Sequence, residues 1–446
     1  MFALAALGVA CSRTRHPSVV LISVDTLRAD ALSAYGGVVW TPTFQRLADQ
    51  GAVFEHAFAP TPATAPSHAT LFTGQEVQRH GVLRNGESLP DTAMTLAESF
   101  RERGYQTAAF VSSYVLDPRF GWGQGFDHFD AVLPATGSTL GKEAPYPGAF
   151  WAAQRFEGFD RRANATTRAA IGWVEQTTEP FFLFVHYFDP HAPYVPPETF
   201  AERAADTRFT LEGRDVKGLS PTQLEKLVRQ YHGEVLYVDD SLAALLDAVD
   251  RRTGDTALVV VTADHGEGLG QHRWLEHATN LYDEQIHVPL MVRWPGEVPA
   301  GRRIATPVGL IDVAPTVLEL AGIESTAPRD GRSLAASIRG SVEPPPRPIF
   351  GIRRLVDEST GWGHGVKLSV RDDRWKYVFS SDEPHELYDL AADPGEQHNV
   401  AGSQTERASA MREMIEKHVA ALPRPHEAAP LSDETRRALQ ALGYLE

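Results

Sequence analysis

Three uninterrupted apolar runs stand out along the chain, and each ends on an aspartate. Val19-Val20-Leu21-Ile22-Ser23-Val24 leads into Asp25, and Phe181-Phe182-Leu183-Phe184-Val185-His186-Tyr187-Phe188 into Asp189. Ala257-Leu258-Val259-Val260-Val261-Thr262-Ala263 leads into Asp264 and His265. Continuous rather than alternating apolar positions predict strands covered on both faces, as in a parallel sheet. Between them, helical patterning covers 43–50, 92–103, 166–176 and 234–251, and 104–111 reads as a helix stop followed by another buried strand. This alternation predicts an α/β domain with a doubly wound, mainly parallel sheet flanked by helices.

The C-terminal part has a different rhythm. Residues 310–322 read as a capped amphipathic helix closed by Gly322, and Glu343-Pro344-Pro345-Pro346-Arg347-Pro348 as a rigid connector. Shorter strand-like runs at 366–370 and 375–379 predict a small antiparallel sheet with a terminal helix. The division is therefore 1–17 as a leader, 18–340 as the α/β catalytic domain and 341–446 as a smaller α+β subdomain.

Composition narrows the function classes. Hydrophobic residues at 42% and charged residues at 22% are an ordinary globular balance. A net charge of -16 speaks against nucleic-acid or anionic-membrane binding. It leaves an anionic substrate open, because a bound dication reverses the local field. With Cys11 as the one cysteine, neither an intrachain disulfide nor a cysteine-based zinc site can form. Residues 2–10 are apolar and rich in small side chains, and Cys11, Arg13 and Arg15 follow. That pattern resembles the end of a bacterial lipoprotein signal and is too short to span a bilayer. It implies export to the cell envelope (periplasm or outer membrane), with membrane attachment through a lipidated Cys11.

In open parallel sheets, ligands bind beyond the carboxyl ends of the strands. One aspartate there is commonly a helix cap or turn residue. Three, two of them followed closely by His191 or His265, point to convergence on a cation.

The segment Thr61-Pro62-Ala63-Thr64-Ala65-Pro66-Ser67-His68-Ala69-Thr70-Leu71-Phe72-Thr73-Gly74 follows the first strand. With it, the chain resembles the sulfatase family of the alkaline phosphatase superfamily. Ser23-Val24-Asp25-Thr26-Leu27-Arg28-Ala29-Asp30 is similar to that family's first metal motif, and Asp264-His265-Gly266-Glu267-Gly268-Leu269-Gly270 to its second. Residues 282–295, with Val288-Pro289-Leu290, and the late Glu386-Leu387-Tyr388-Asp389-Leu390, Asp393-Pro394 and Asn399 also match, so the likeness runs from about 18 to 400. It implies an alkaline phosphatase-like fold and a metal-dependent hydrolase of sulfuric or phosphoric esters.

The departures are informative. The family places Cys or Ser, then x-Pro-x-Arg, and oxidises the first residue to formylglycine. Here the positions read Thr64-Ala65-Pro66-Ser67-His68, and oxidised threonine would be a ketone, so formylglycine is excluded. After Phe110, a Gly-Lys-Trp-His string is replaced by Val111-Ser112-Ser113-Tyr114, and Thr26 stands where many sulfatases have a second metal-binding Asp.

The Thr-x-Pro-Ser-His string resembles a different branch, the nucleotide pyrophosphatase/phosphodiesterases, which hold two zinc ions. By that likeness Asp25, Thr64, Asp264 and His265 form one metal site, and Asp189, His191 and His277 a second. In the sulfatase reading one calcium sits on the aspartates while His191 and His277 touch the substrate anion. An imidazole-rich shell favours two zinc or manganese ions over one calcium. In either case Thr64 is the nucleophile: a nearby dication lowers its pKa, and a covalent Thr64 ester forms and is hydrolysed by water. Ser67 and His68 are the candidate catalytic and substrate-binding groups around the transferring oxygens, His68 being equally placed for a packing role. His80 reads as structural, and neither Glu267 nor His272 as a ligand. The expected substrate is a sulfate or phosphate ester of a small molecule, glycan or lipid. A phosphodiesterase and a phosphoglycerol- or phosphoethanolamine-type transferase are the alternatives.

Overall fold

The computed structural model describes residues 16–133, 160–178, 180–340, 342–354, 365–423 and residue 435. Cys11 and its lipoprotein-like surroundings lie outside them. In chain order, the first body contains β1 (Val19–Val24), β2 (Ala52–Phe58), β3 (Gln106–Phe110), β4 (His128–Asp130), β5 (Phe181–Tyr187) and β6 (Leu258–Ala263). A small hairpin, β7 (Gly268–Leu269) and β8 (Leu275–Glu276), precedes β9 (His287–Arg293), β10 (Arg302–Ile304) and β11 (Val308–Gly309). The sheet runs β10-β2-β9-β6-β1-β5-β3-β4, with β11 beside β2. Its centre, β6-β1-β5-β3-β4, is parallel, whereas β9 runs antiparallel to both β6 and β2. The sheet is thus mainly parallel but mixed.

β1, β5 and β6 are buried along their whole length, which is what their unbroken apolar runs require. Each fully buried Val, Leu or Ile there contributes about 1.5–3 kcal/mol. Register sets the chemistry that follows. Val24 pairs with Ala263 on one side and Tyr187 on the other. Asp25 and Asp264 therefore leave the sheet at the same level. On β5 that level belongs to Phe188, and Asp189 comes one residue later.

The helices follow the pattern with shifted ends. They are α1 (Pro42–Gln50), α2 (Thr64–Thr73), α3 (Val77–His80), α4 (Leu96–Glu102), α5 (Ala163–Val174), α6 (Glu198–Ala205) and α7 (Pro221–Thr253). α4 starts later than expected because Thr95 and Glu98 form a capping box. α7 starts earlier for the same reason, through Ser220 and Gln223. Every residue of α2 is buried, consistent with a segment that carries no charged side chain apart from a titratable histidine. Residues 310–322 split into a 3-10 turn, Leu310–Asp312, and a helix, Val313–Leu320.

The C-terminal sheet is antiparallel: β12 (Ile349–Arg354), β13 (Val366–Arg371), β14 (Trp375–Ser380) and β15 (Glu386–Asp389) in that order. Met411 and Ile415 of the helix Thr405–Ala421 pack on its Val370, Tyr377 and Leu387. It is tied to the first body by Asp283, which pairs with Lys376 at 2.8 Å and Arg371 at 2.9 Å. Among the described residues, no helix is long and apolar enough to cross a membrane.

Candidate metal and ester-cleavage site

At the carboxyl edge of the sheet, Asp25, Asp264 and His265 each bring one ligand atom to within 4.8 Å of the others, and all three are buried. Both Asp25 oxygens and Oδ2 of Asp264 have no hydrogen-bond partner among the described residues. Burying such groups is costly unless a charge compensates for the lost water. Burial above all, with the nearby Glu267 adding to it, pushes the Asp25 carboxyl up to about 7, against the pull of His265. Nδ1 of His265 faces the Gly266 carbonyl at 2.9 Å, which makes it the donor and leaves the lone pair on Nε2. That nitrogen is 3.4 Å from Asp264 Oδ2 and 3.8 Å from Asp25 Oδ1. A metal-ligating histidine is commonly oriented in this way, by a carbonyl on its other nitrogen. Three orphaned carboxylate oxygens and one presented imidazole fit a single divalent cation.

The turn after β1 is strained to make the site. Thr26 has φ 57, an unfavourable left-handed value for a β-branched residue. Its N–H reaches Asp264 Oδ1 at 3.3 Å, and its carbonyl accepts from the Tyr231 hydroxyl at 2.9 Å.

Thr64 opens α2, and its Oγ1 is 3.3 Å from His265 Nε2. Helix N-termini favour anions because their first N–H groups lack intrahelical partners. One of these, Ala65 N–H, is fixed by Asn85 Oδ1 at 2.8 Å, a partner that nothing in the local sequence announces.

Two further histidines extend the row. The His277 ring lies 4.5 Å from His265 and 4.8 Å from His191, centre to centre. Glu267 Oε1 lies 3.1 Å from His277 Nδ1 and so orients that neighbouring ring. His191 stacks on Phe188 and holds the Ala192 carbonyl through Nδ1 at 2.6 Å. Burial lowers the pKa of His277 to about 4 and holds His191 well below its ordinary value.

Three expected site residues have their polar atoms engaged by other groups. Asp189 does not join the cluster: its Oδ1 pairs with Arg162 at 2.7 Å and its Oδ2 accepts the Ala163 N–H at the start of α5. Glu234 shares the same guanidinium at 3.1 Å. Without that carboxylate the second metal position has only His191 and His277. Ser67 is turned from the reacting space, donating to the Asp264 carbonyl at 2.6 Å. His68 is a strut between α2 and β1, with Nδ1 2.8 Å from the Thr64 carbonyl and Nε2 3.0 Å from Ser23 Oγ. Its helical spacing of four from Thr64 places the ring against that carbonyl. His80 is buried between Thr70 Oγ1 at 3.0 Å and the Val82 N–H at 3.2 Å. His272 binds Glu284 and the Glu396 carbonyl, away from the cluster. One neighbour was missed: His186, inside the apolar run of β5, lies 3.5 Å from Asp25 Oδ2.

Comparison with known proteins places this geometry in context. The Sulfatase family model matches residues 17–323, and a model described as N-sulphoglucosamine sulphohydrolase, C-terminal, matches 270–423. An uncharacterized sulfatase, YidJ, of Escherichia coli (strain K12) is 26% identical over 86% of this chain and 83% of its own length. Choline-sulfatase of Rhizobium meliloti (strain 1021) is 26% identical over 87% of this chain and 83% of its own. Among solved structures, phosphonate monoester hydrolase of Agrobacterium radiobacter aligns with a TM-score of 0.74 at 25% identity, covering 91% of this chain and 95% of that one.

Proposed function

The chain belongs to the sulfatase family of ester hydrolases, and on that premise we propose that it cleaves a sulfuric or phosphoric monoester of a small molecule or glycan, with Thr64 itself as the nucleophile. The observation that carries this reading is the position of Thr64 Oγ1 at the head of α2, 3.3 Å from His265 Nε2, the nitrogen that faces the orphaned oxygens of Asp25 and Asp264. Asp25, Asp264 and His265 would hold one divalent cation, whose charge would lower the pKa of the nearby hydroxyl and offset that of the ester's oxygens. Two carboxylates and an imidazole suit manganese or zinc better than calcium, which prefers an all-oxygen shell.

The remaining work falls to the chain. The hydroxyl of Thr64 attacks sulfur or phosphorus as its proton passes through the neighbouring histidines to the leaving alcohol, whose bond breaks on the opposite side. The positive end of the α2 dipole favours the anionic group, although its Ala65 N–H is held by Asn85. His191 and His277, aligned by the Ala192 carbonyl and Glu267, contact the ester oxygens and relay the proton that the departing alcohol takes up. Water then cleaves the Thr64 ester.

The test is to strip the purified protein of metal and reload it with manganese, zinc or calcium. Turnover is then followed on an aryl sulfate, a phosphate monoester, a phosphonate monoester and a phosphodiester. Cation-dependent turnover of at least one monoester supports the reading. Full activity in verified metal-free protein, or activity on the diester alone, would contradict it.

A further inference from the structure

His186 is fully buried on β5, level with Ser23 of β1. Phe182, Phe184 and the other residues of that strand are apolar or aromatic, so an apolar residue would suit the position. Instead it carries an imidazole whose two ring nitrogens both lack a hydrogen-bond partner among the described residues. A neutral imidazole always has one N–H and one lone pair, and leaving such groups dry and unpaired is costly. The ring is boxed in by His68, 5.1 Å away at 74°, which spends its own nitrogens on Thr64 and Ser23.

What His186 does face is Asp25. Its position on the sheet is two residues below the edge, on the same pleat side as Asp25, and Nε2 is 3.5 Å from Asp25 Oδ2. It does not belong to the tight set formed by Asp25, Asp264 and His265. The geometry therefore suits a group that acts on a ligand from behind.

We propose that His186 is the positioning residue of the cation site: its Nε2–H donates to Asp25 Oδ2 and fixes the direction in which that carboxylate presents its other oxygen. This rests on the reading that Asp25, Asp264 and His265 hold a cation. Groups that orient a metal ligand from behind are worth 10–100-fold in metal affinity when removed, on the order seen for other metalloenzymes.

The experiment is a titration of metal-free protein with manganese, followed by calorimetry, for wild type, His186→Phe and His186→Gln. His186→Phe is expected to bind about 10–100-fold more weakly than wild type. His186→Gln keeps an N–H donor and is expected to recover most of the loss. Wild-type affinity in folded His186→Phe would overturn the proposal and leave the cation site standing. If wild type and Asp25→Asn both bind no cation, the cation reading falls and takes the proposal with it. Because the variants test folding as well as orientation, nitrogen-15 spectra of histidine-labelled wild-type protein give a second reading. The proposal requires His186 protonated on Nε2 in the loaded protein, and the opposite tautomer would overturn it.

Discussion

Thr64 Oγ1 lies 3.3 Å from Nε2 of His265, the same nitrogen that faces the Asp25 and Asp264 carboxylates. One lone pair thus stands between the nucleophile and the cation's other ligands. Since Nδ1 of His265 is committed to the Gly266 carbonyl, that lone pair cannot migrate to the other nitrogen without breaking the bond. The nucleophile and the cation site thus meet at one nitrogen but are built from different groups, so variants of Thr64 and of the carboxylates should separate into chemistry and binding.

Thr64→Ala is expected to lower kcat on the best monoester by a factor on the order of 10³ or more, as loss of a nucleophile does. Cation stoichiometry should stay at the wild-type value. Asp264→Asn should do the reverse, with binding weakened more than about 100-fold, beyond what orienting groups contribute. Steady-state kinetics together with metal content of the dialysed proteins check both halves.

Asp189 is expected to behave as a structural residue. It pairs with Arg162 and caps the first N–H of α5, with its side chain only 3% exposed. Asp189→Ala should cost about 3–5 kcal/mol in urea unfolding, because the largely buried guanidinium would lose one of the two carboxylates it pairs with. Metal stoichiometry should not change. A loss of bound metal without loss of stability would mean that Asp189 is a ligand after all.

The same residue shows what could and could not be read in advance. Three runs ended on aspartates and looked alike, yet only Asp25 and Asp264 sit level on adjacent strands. Register across β1, β5 and β6 decides that, and register is invisible in one strand at a time. The parallel core and the C-terminal sheet were legible because their apolar runs are long and uninterrupted, or short and clustered. β2 and β9 were not: Glu55 and His56 interrupt the first, and a motif match masked the second. His186 was hidden by its setting, since one histidine among seven other apolar or aromatic residues reads as packing. Ser67 and His68 lay in the right motif, but a helix turns successive residues to different faces.

Acid should weaken the fold through His80. Its pKa is lowered from 6.5 to about 3 by burial, with both nitrogens already hydrogen-bonded in the neutral form. The unfolded chain takes up that proton near pH 6.5 and the folded chain does not until about pH 3. His80 thus favours folding fully above that window, and its contribution is lost as pH falls through it. The slope is at most about 1.4 kcal/mol per pH unit. His80→Gln, which can keep both hydrogen bonds, should unfold in urea with a shallower dependence on pH between 6 and 4. Equal slopes in the two proteins would contradict the assignment.

The most direct test of the central claim is to quench the loaded enzyme during turnover of its best monoester and map its peptides by mass spectrometry. The account requires the added mass of one sulfuryl or phosphoryl group on Thr64, absent from Thr64→Ala. A quenched enzyme that turns over rapidly while Thr64 stays unmodified, or that carries the group on another residue, would contradict it.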